Sequence, residues 1–211
     1  MGRTTVVTPS GRRIRSSVRA AIHIGEARAD IDAMVLAAGD IRGPVDGIIG
    51  TDILAARRFT IDYVQRRISF DLREDQGAVS MPLTHGANGF VVMLPQHDAE
   101  PPLQFIPDSG TATVVLIARK GRRLPPVTPL ALAGVEAIGG VRVGRSVVLE
   151  ELRIGSIRLR DQLAVVMTAS SADERMGDGL LPLHLFARVT FDAPGGSLTL
   201  VADRESLIPS P

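Results

Sequence analysis

The sequence predicts an all-β protein built as two related lobes, and three observations carry that expectation. Short apolar segments alternate at close intervals with Gly, Pro, Asp and Ser, the punctuation of a strand-rich chain. Several sequence blocks recur in the same order at an offset of roughly 130 residues, the mark of an internal duplication. The chain is 45% hydrophobic with a net charge of +1, which gives it material for a core and separates it from disordered and strongly nucleic-acid-binding proteins.

The elements follow from the pattern. Ile68-Ser69-Phe70, Phe90 to Leu94, Thr113 to Ile117 and Leu198 to Val201 are expected as strands, and Gly86-Ala87-Asn88-Gly89 as a turn between two of them. Aromatics make up 3% of the chain, with no Trp and only Tyr63 as tyrosine, so an aliphatic core of Val, Ile, Leu and Ala is expected. The duplication pairs Ile22-His23-Ile24-Gly25 with Leu152-Arg153-Ile154-Gly155, and Asp46-Gly47-Ile48-Ile49-Gly50 with Asp178-Gly179-Leu180-Leu181-Pro182. A helix-like stretch follows each second block and leads to Phe59-Thr60-Ile61-Asp62 and Val189-Thr190-Phe191-Asp192. The expected division is an N-terminal lobe over residues 1–78 that lacks its first strands, and a fuller C-terminal lobe over 79–211. Polar residues 73–77 connect them.

Several function classes drop out. Cysteine is absent, which removes disulfide scaffolds and thiolate metal sites. His23, His85, His97 and His184 lack ligand-like spacing, so surface or turn roles are expected and no metal. No apolar run reaches membrane-spanning length. The run Arg119-Lys120-Gly121-Arg122-Arg123 is read as a solvated loop and not a nucleic-acid contact, because stacking aromatics are scarce. Gly134 to Gly144 is glycine-rich but no Lys-Ser/Thr follows, which excludes a phosphate-binding loop. Positive charge is almost all Arg, with Lys120 the only lysine, which points to a GC-rich bacterial genome.

The stretch that carries chemistry is Phe105-Ile106-Pro107-Asp108-Ser109-Gly110-Thr111-Ala112-Thr113, followed by the apolar run Val114 to Ile117. An isolated Asp-Ser-Gly is an ordinary turn sequence. Here it has apolar flanks, following hydroxyl residues, a downstream Leu180-Leu181 element and a duplicated setting. In those residues the chain resembles aspartic peptidases of the retropepsin/pepsin type, over nearly its whole length. The resemblance implies a bilobal acid-protease fold with a cleft for an extended peptide or protein substrate, and hydrolysis without a metal or cofactor. Asp108 would be a catalytic carboxylate. Ser109 would bond to the facing loop, Gly110 would let two loops approach closely, and Thr111 would hydrogen-bond the carboxylate. Ser10-Gly11 in the first lobe and Gly139-Gly140 in the second are expected as flap tips. Pro107 and Pro182 depart from the family pattern, the latter standing where a glycine is expected.

The mechanism needs two carboxylates sharing one proton, because like charges a few ångströms apart cannot both ionise. The duplication offset places the counterpart of Asp108 about twenty residues before Met1. Asp46 and Asp178, like Asp62 and Asp192, occupy matching places in both lobes, which marks them as structural. Three explanations stand: a fragment, which is favoured; a homodimer in which each copy donates Asp108; or a non-catalytic peptide-binding module of the same fold. An unrelated β-sandwich with a simple Asp-Ser-Gly turn is the reading outside the family. For the full-length protein, the family resemblance suggests a periplasmic or secreted location, although Met1 to Thr5 lacks the apolar stretch of a signal peptide.

Overall fold

The computed structural model describes residues 2–8, 11–24, 27–36, 46–71, 78–86, 89–96, 100–137, 140–170 and 177–202. Three strands open the chain, β1 (Gly2–Thr8), β2 (Gly11–Ile24) and β3 (Ala27–Met34), forming an antiparallel sheet in that order. A single-turn helix α1 (Thr51–Leu54) leads to β4 (Phe59–Asp62) and β5 (Arg67–Phe70). Then follow β6 (Val79–Pro82), β7 (Thr84–Gly86), β8 (Gly89–Leu94), β9 (Leu103–Asp108) and β10 (Val114–Ala118). The long hairpins β11 (Val127–Ala137), β12 (Gly140–Ile154) and β13 (Ile157–Thr168) precede the short β14 (Gly179–Pro182). A 3-10 turn at Leu183–Leu185 leads into β15 (Phe186–Asp192) and β16 (Ser197–Ala202). The protein is nearly all β, as its sequence predicts.

An eight-stranded sheet runs in the order β11-β12-β13-β10-β14-β9-β8-β7, and a five-stranded sheet in the order β5-β4-β15-β16-β6. Period-two alternation sets the faces. Ile157 and Leu159 are buried while Arg158 and Arg160 are exposed, and Leu103, Phe105 and Pro107 are buried while Gln104, Ile106 and Asp108 lie on the opposite, half-buried face. β10 is buried along Val114–Ile117 because both of its faces are covered. Val114 and Leu116 enter the main core, and Val115 and Ile117 a second, smaller cluster with Val165 and Met167.

The duplication holds at the level of hydrogen-bond register. Ile24 pairs with Ala27 and Ser17 with Met34; Ile154 pairs with Ile157 and Val147 with Ala164. Phe59 pairs with Phe70, and Val189 with Leu200. Each pair is the other displaced by the 130 positions that separate Thr60 from Thr190. Those two threonines face each other where β4 meets β15, flanked by Phe59 opposite Phe191 and Ile61 opposite Val189. The seam is therefore a local two-fold axis, with the threonine hydroxyls bonded at 2.8 Å and the two phenylalanine rings stacked at 4.9 Å.

The core corrects one expectation. It is not purely aliphatic: Phe59, Phe105, Phe186 and Phe191 are among its largest fully buried side chains. The few aromatics are concentrated inside, where a ring removes the most apolar surface from water.

Candidate active site

β14 is inserted between β9 and β10. It runs parallel to β9, with Leu181 opposite Pro107 and Pro182 opposite Asp108, and antiparallel to β10, with Leu180 opposite Val115. The chain therefore leaves β9, passes the end of β14 through Ser109–Thr113, and returns as β10 on the far side. Asp108 is the last residue of β9, carried at the lip of this crossing. Gly179 makes the insertion feasible. A Cβ there would lie 2.2 Å from the Val115 carbonyl oxygen and 2.7 Å from the Phe105 ring.

Asp178 ties the base of the arrangement. Its buried carboxylate accepts the Gln104 backbone N–H at 2.9 Å and the Arg122 guanidinium at 2.7 and 3.2 Å. Arg119 donates to the Gly177 carbonyl at 3.1 Å, and Arg122 also donates to the Pro102 carbonyl. Arg119 and Arg122, expected in a solvated loop, are instead half-buried clamps on β9 and β14. A charge run reads as solvated only until a buried carboxylate is folded against it.

At the lip, the Gly110 N–H donates to Asp108 Oδ1 at 2.7 Å, and a Cβ on Gly110 would approach that same oxygen to 3.3 Å. Ser109 and Gly110 are exposed. The Thr111 hydroxyl donates to the Thr113 carbonyl at 3.2 Å, closing the loop, so the bond that orients the carboxylate comes from the Gly110 backbone rather than from the expected threonine. Pro107 is tolerated because β8 pairs with β9 only over Leu103–Phe105, and Pro107 lies past that ladder. Pro182 has φ −65° and begins the 3-10 turn, a backbone angle its ring favours.

Tyr63, which the sequence marked only as the lone tyrosine, feels the charge of Asp108. Burial pushes its phenol up to about 12, and the negative charge of Asp108 adds to the rise. Its hydroxyl is buried with no hydrogen-bond partner among the described residues. Tyr63 follows β4 directly and its N–H donates to the Ala187 carbonyl at 3.0 Å, which sets Tyr63 beside the seam where the two repeats meet. The only sequence signal was that a lone tyrosine follows the repeated Phe59–Asp62 block.

The duplicated aspartates act as turn caps. Asp62 Oδ1 accepts the Gln65 N–H at 2.7 Å, and Asp192 Oδ1 accepts the Gly195 N–H at 2.8 Å, the same local bond in both repeats. Asp46 is exposed. Of the expected flap residues, Gly11 and Gly140 open β2 and β12 opposite Thr8 and Ala137; Ser10 and Gly139 lie outside the described residues, as does His97. No cluster of three metal-ligating side chains occurs among the described residues, and no helix there is long and apolar enough to cross a membrane.

Residues 96–184 match the family model described as aspartyl protease, a span that holds both the Asp108 loop and β14. Over that span the chain is similar to aspartyl proteases, and the architecture around the loop is all β. No curated protein and no solved structure matches it.

Proposed function

We propose that the protein is an aspartic-type endopeptidase in which Asp108 is one of two carboxylates that activate a water molecule. The observation that carries this reading is the position of Asp108: at the lip of a strand crossing and oriented by the Gly110 N–H, within the span that matches the aspartyl protease family model. Residues 1–78 and 79–211 are the two lobes in this reading, with the hairpin ends at Ser10-Gly11 and Gly139-Gly140 as flaps and Ser109 turned toward the facing loop. The ionised carboxylate takes a proton from water as the oxygen attacks the scissile carbonyl. The protonated carboxylate hydrogen-bonds to that carbonyl as it becomes tetrahedral, and the departing amine takes a proton as the C–N bond breaks.

The substrate class follows from the family: peptides or proteins in extended form. The second carboxylate belongs to an equivalent loop, because Asp62 and Asp192 cap turns and Asp178 is held by Gln104 and Arg122. The test is cleavage of an unstructured protein in the acid range by the native enzyme, with Asp108→Asn as control. The substitution is expected to lower the rate by about 10²–10⁴-fold, the span of a lost general acid–base group. Activity equal to that of the unsubstituted protein rejects the assignment. If neither protein cleaves any peptide yet both bind extended peptides, the non-catalytic binding module is the correct reading.

A further inference from the structure

The turns that follow β4 and β15 are copies of each other, and the 130-position offset aligns them residue by residue. Asp62 caps the Gln65 N–H as Asp192 caps the Gly195 N–H. Each turn then takes one residue through the left-handed region, Arg66 at φ 52° and Gly196 at φ 66°. Glycine adopts that conformation freely and arginine does not, so the first repeat keeps a side chain where the second shows that the turn needs none. The neighbours differ in the same sense: Tyr63, Arg67 and Ile68 stand where Ala193, Ser197 and Leu198 stand in the second repeat. There, β6 pairs along Ser197 and Leu198, and Leu83 donates its N–H to the Gly196 carbonyl at 2.9 Å. Leu198 is 0% exposed under that cover, whereas Ile68 is 51% exposed.

The first turn borders an open cleft of about 270 Å³ lined by Ile61, Asp62, Tyr63, Arg66, Arg67 and Ile68. Ile61 and Ile68 are paired across β4 and β5 and supply an apolar wall. Arg66 and Arg67 are exposed, and neither guanidinium has an ion-pair or hydrogen-bond partner among the described residues. Asp62 is the carboxylate of the lining, and in register it has Arg67 on one side and Arg188 on the other. Around the cleft these three guanidinium groups outnumber the carboxylates of Asp62 and Asp108, the latter acting on the Tyr63 phenol. The Tyr63 hydroxyl is buried with no partner among the described residues, a rare condition that marks a place where a partner is brought in.

We propose that this cleft binds a small organic anion with an aliphatic body, its carboxylate held by Arg66 and Arg67 and its apolar part by Ile61 and Ile68. The guanidinium fork matches a carboxylate in plane and in number of donors. The cleft volume of about 270 Å³ lies just under the roughly 300 Å³ at which sites for drug-sized ligands begin, so the ligand has the size of a capped amino acid. The C-terminal carboxylate of a peptide with an aliphatic last residue and a short-chain fatty acid share this chemistry. The site goes beyond the hydrolytic reading, because nothing in it requires Asp108 to be catalytic.

The experiment titrates the full chain with N-acetyl-leucine, N-acetyl-leucinamide and hexanoate and follows the backbone amide signals by NMR. N-acetyl-leucine is expected to bind saturably with Kd on the order of 1 mM, the reach of so small a ligand at modest efficiency, and to shift the amides of Gln65 to Ile68. The amide, which lacks the charge, should bind about tenfold more weakly or worse. Hexanoate binding as well as N-acetyl-leucine supports the site with a simple aliphatic acid as ligand, and hexanoate binding more weakly supports it with a peptide C-terminus. Arg66→Gly, which copies the second repeat, should weaken binding about tenfold while the thermal midpoint stays or rises, because glycine relieves the left-handed residue. Arg67→Gln should weaken it similarly. Asp108→Asn should bind N-acetyl-leucine at least as tightly as the unsubstituted chain, so a failed peptidase assay leaves the site standing. No saturable shift at the Gln65–Ile68 amides, equal binding of acid and amide, or binding that both arginine variants leave unchanged overturns the proposal.

Discussion

At the scale of single residues, Tyr63 and Asp178 turn the site into measurable quantities. Tyr63 is the only tyrosine, so its phenolate absorbance titrates one group. Its midpoint is expected at about 12, against about 10 for a free phenol. Burial is the larger cause, so Asp108→Asn should remove only the lesser part of the rise. A midpoint unmoved by that substitution would mean that the Asp108 charge does not act on Tyr63. The folded pKa lies above the unfolded one, so this contribution to stability is complete below about pH 10 and is lost as the pH climbs toward 12. Asp178 carries a different prediction. Asp178→Ala leaves the Gln104 N–H and two guanidinium groups without their carboxylate, and should cost about 2–3 kcal/mol in urea denaturation. The figure falls below that for a fully buried pair because Arg119 and Arg122 keep 24% and 22% of their side-chain surface exposed.

At the scale of elements, β14 is the piece on which the Asp108 loop is built, and Gly179 is its narrowest point. Gly179→Ala should destabilise the protein by about 3 kcal/mol, because a methyl group cannot fit against the Val115 carbonyl without moving backbone. Thermal unfolding checks this, and an unchanged midpoint would show that the strand is not held between β9 and β10. The elements also show what the sequence could reveal. Short apolar runs and Gly/Pro punctuation made β5, β8, β10 and β16 readable, since each is a local pattern. The repeated Phe-Thr-Ile-Asp and Val-Thr-Phe-Asp blocks announced the duplication. The insertion of β14 was not readable, because its pairings join residues more than sixty positions apart and leave no local periodicity. Nor was the Arg119/Arg122 clamp, whose partner at Asp178 lies far along the chain. Asp108 itself was legible from its apolar flanks, but the Gly110 N–H as its orienting donor depends on the loop's path and needed coordinates.

At the scale of the whole molecule, the Thr60–Thr190 contact joins the repeats. Each hydroxyl is buried and has the other as its partner. Replacing one by valine strands the other, at about 1–2 kcal/mol, whereas replacing both removes the unmet demand. The double variant should therefore be less destabilised than the two single changes added together, with a coupling of about 0.5–1 kcal/mol in a double-mutant cycle. Strict additivity would show that the hydroxyls do not interact across the seam.

The placement of β14 also dictates an order of events. Gln104 and Asp178, which join at the foot of the loop, are separated by 74 positions, so β9 and β10 must wait for a distant stretch of chain before either is locked. Contacts of that separation form slowly, on the millisecond-to-second scale of β-proteins dominated by non-local pairing. The loop that carries Asp108 is thus a late product of refolding, preceded by the local hairpins.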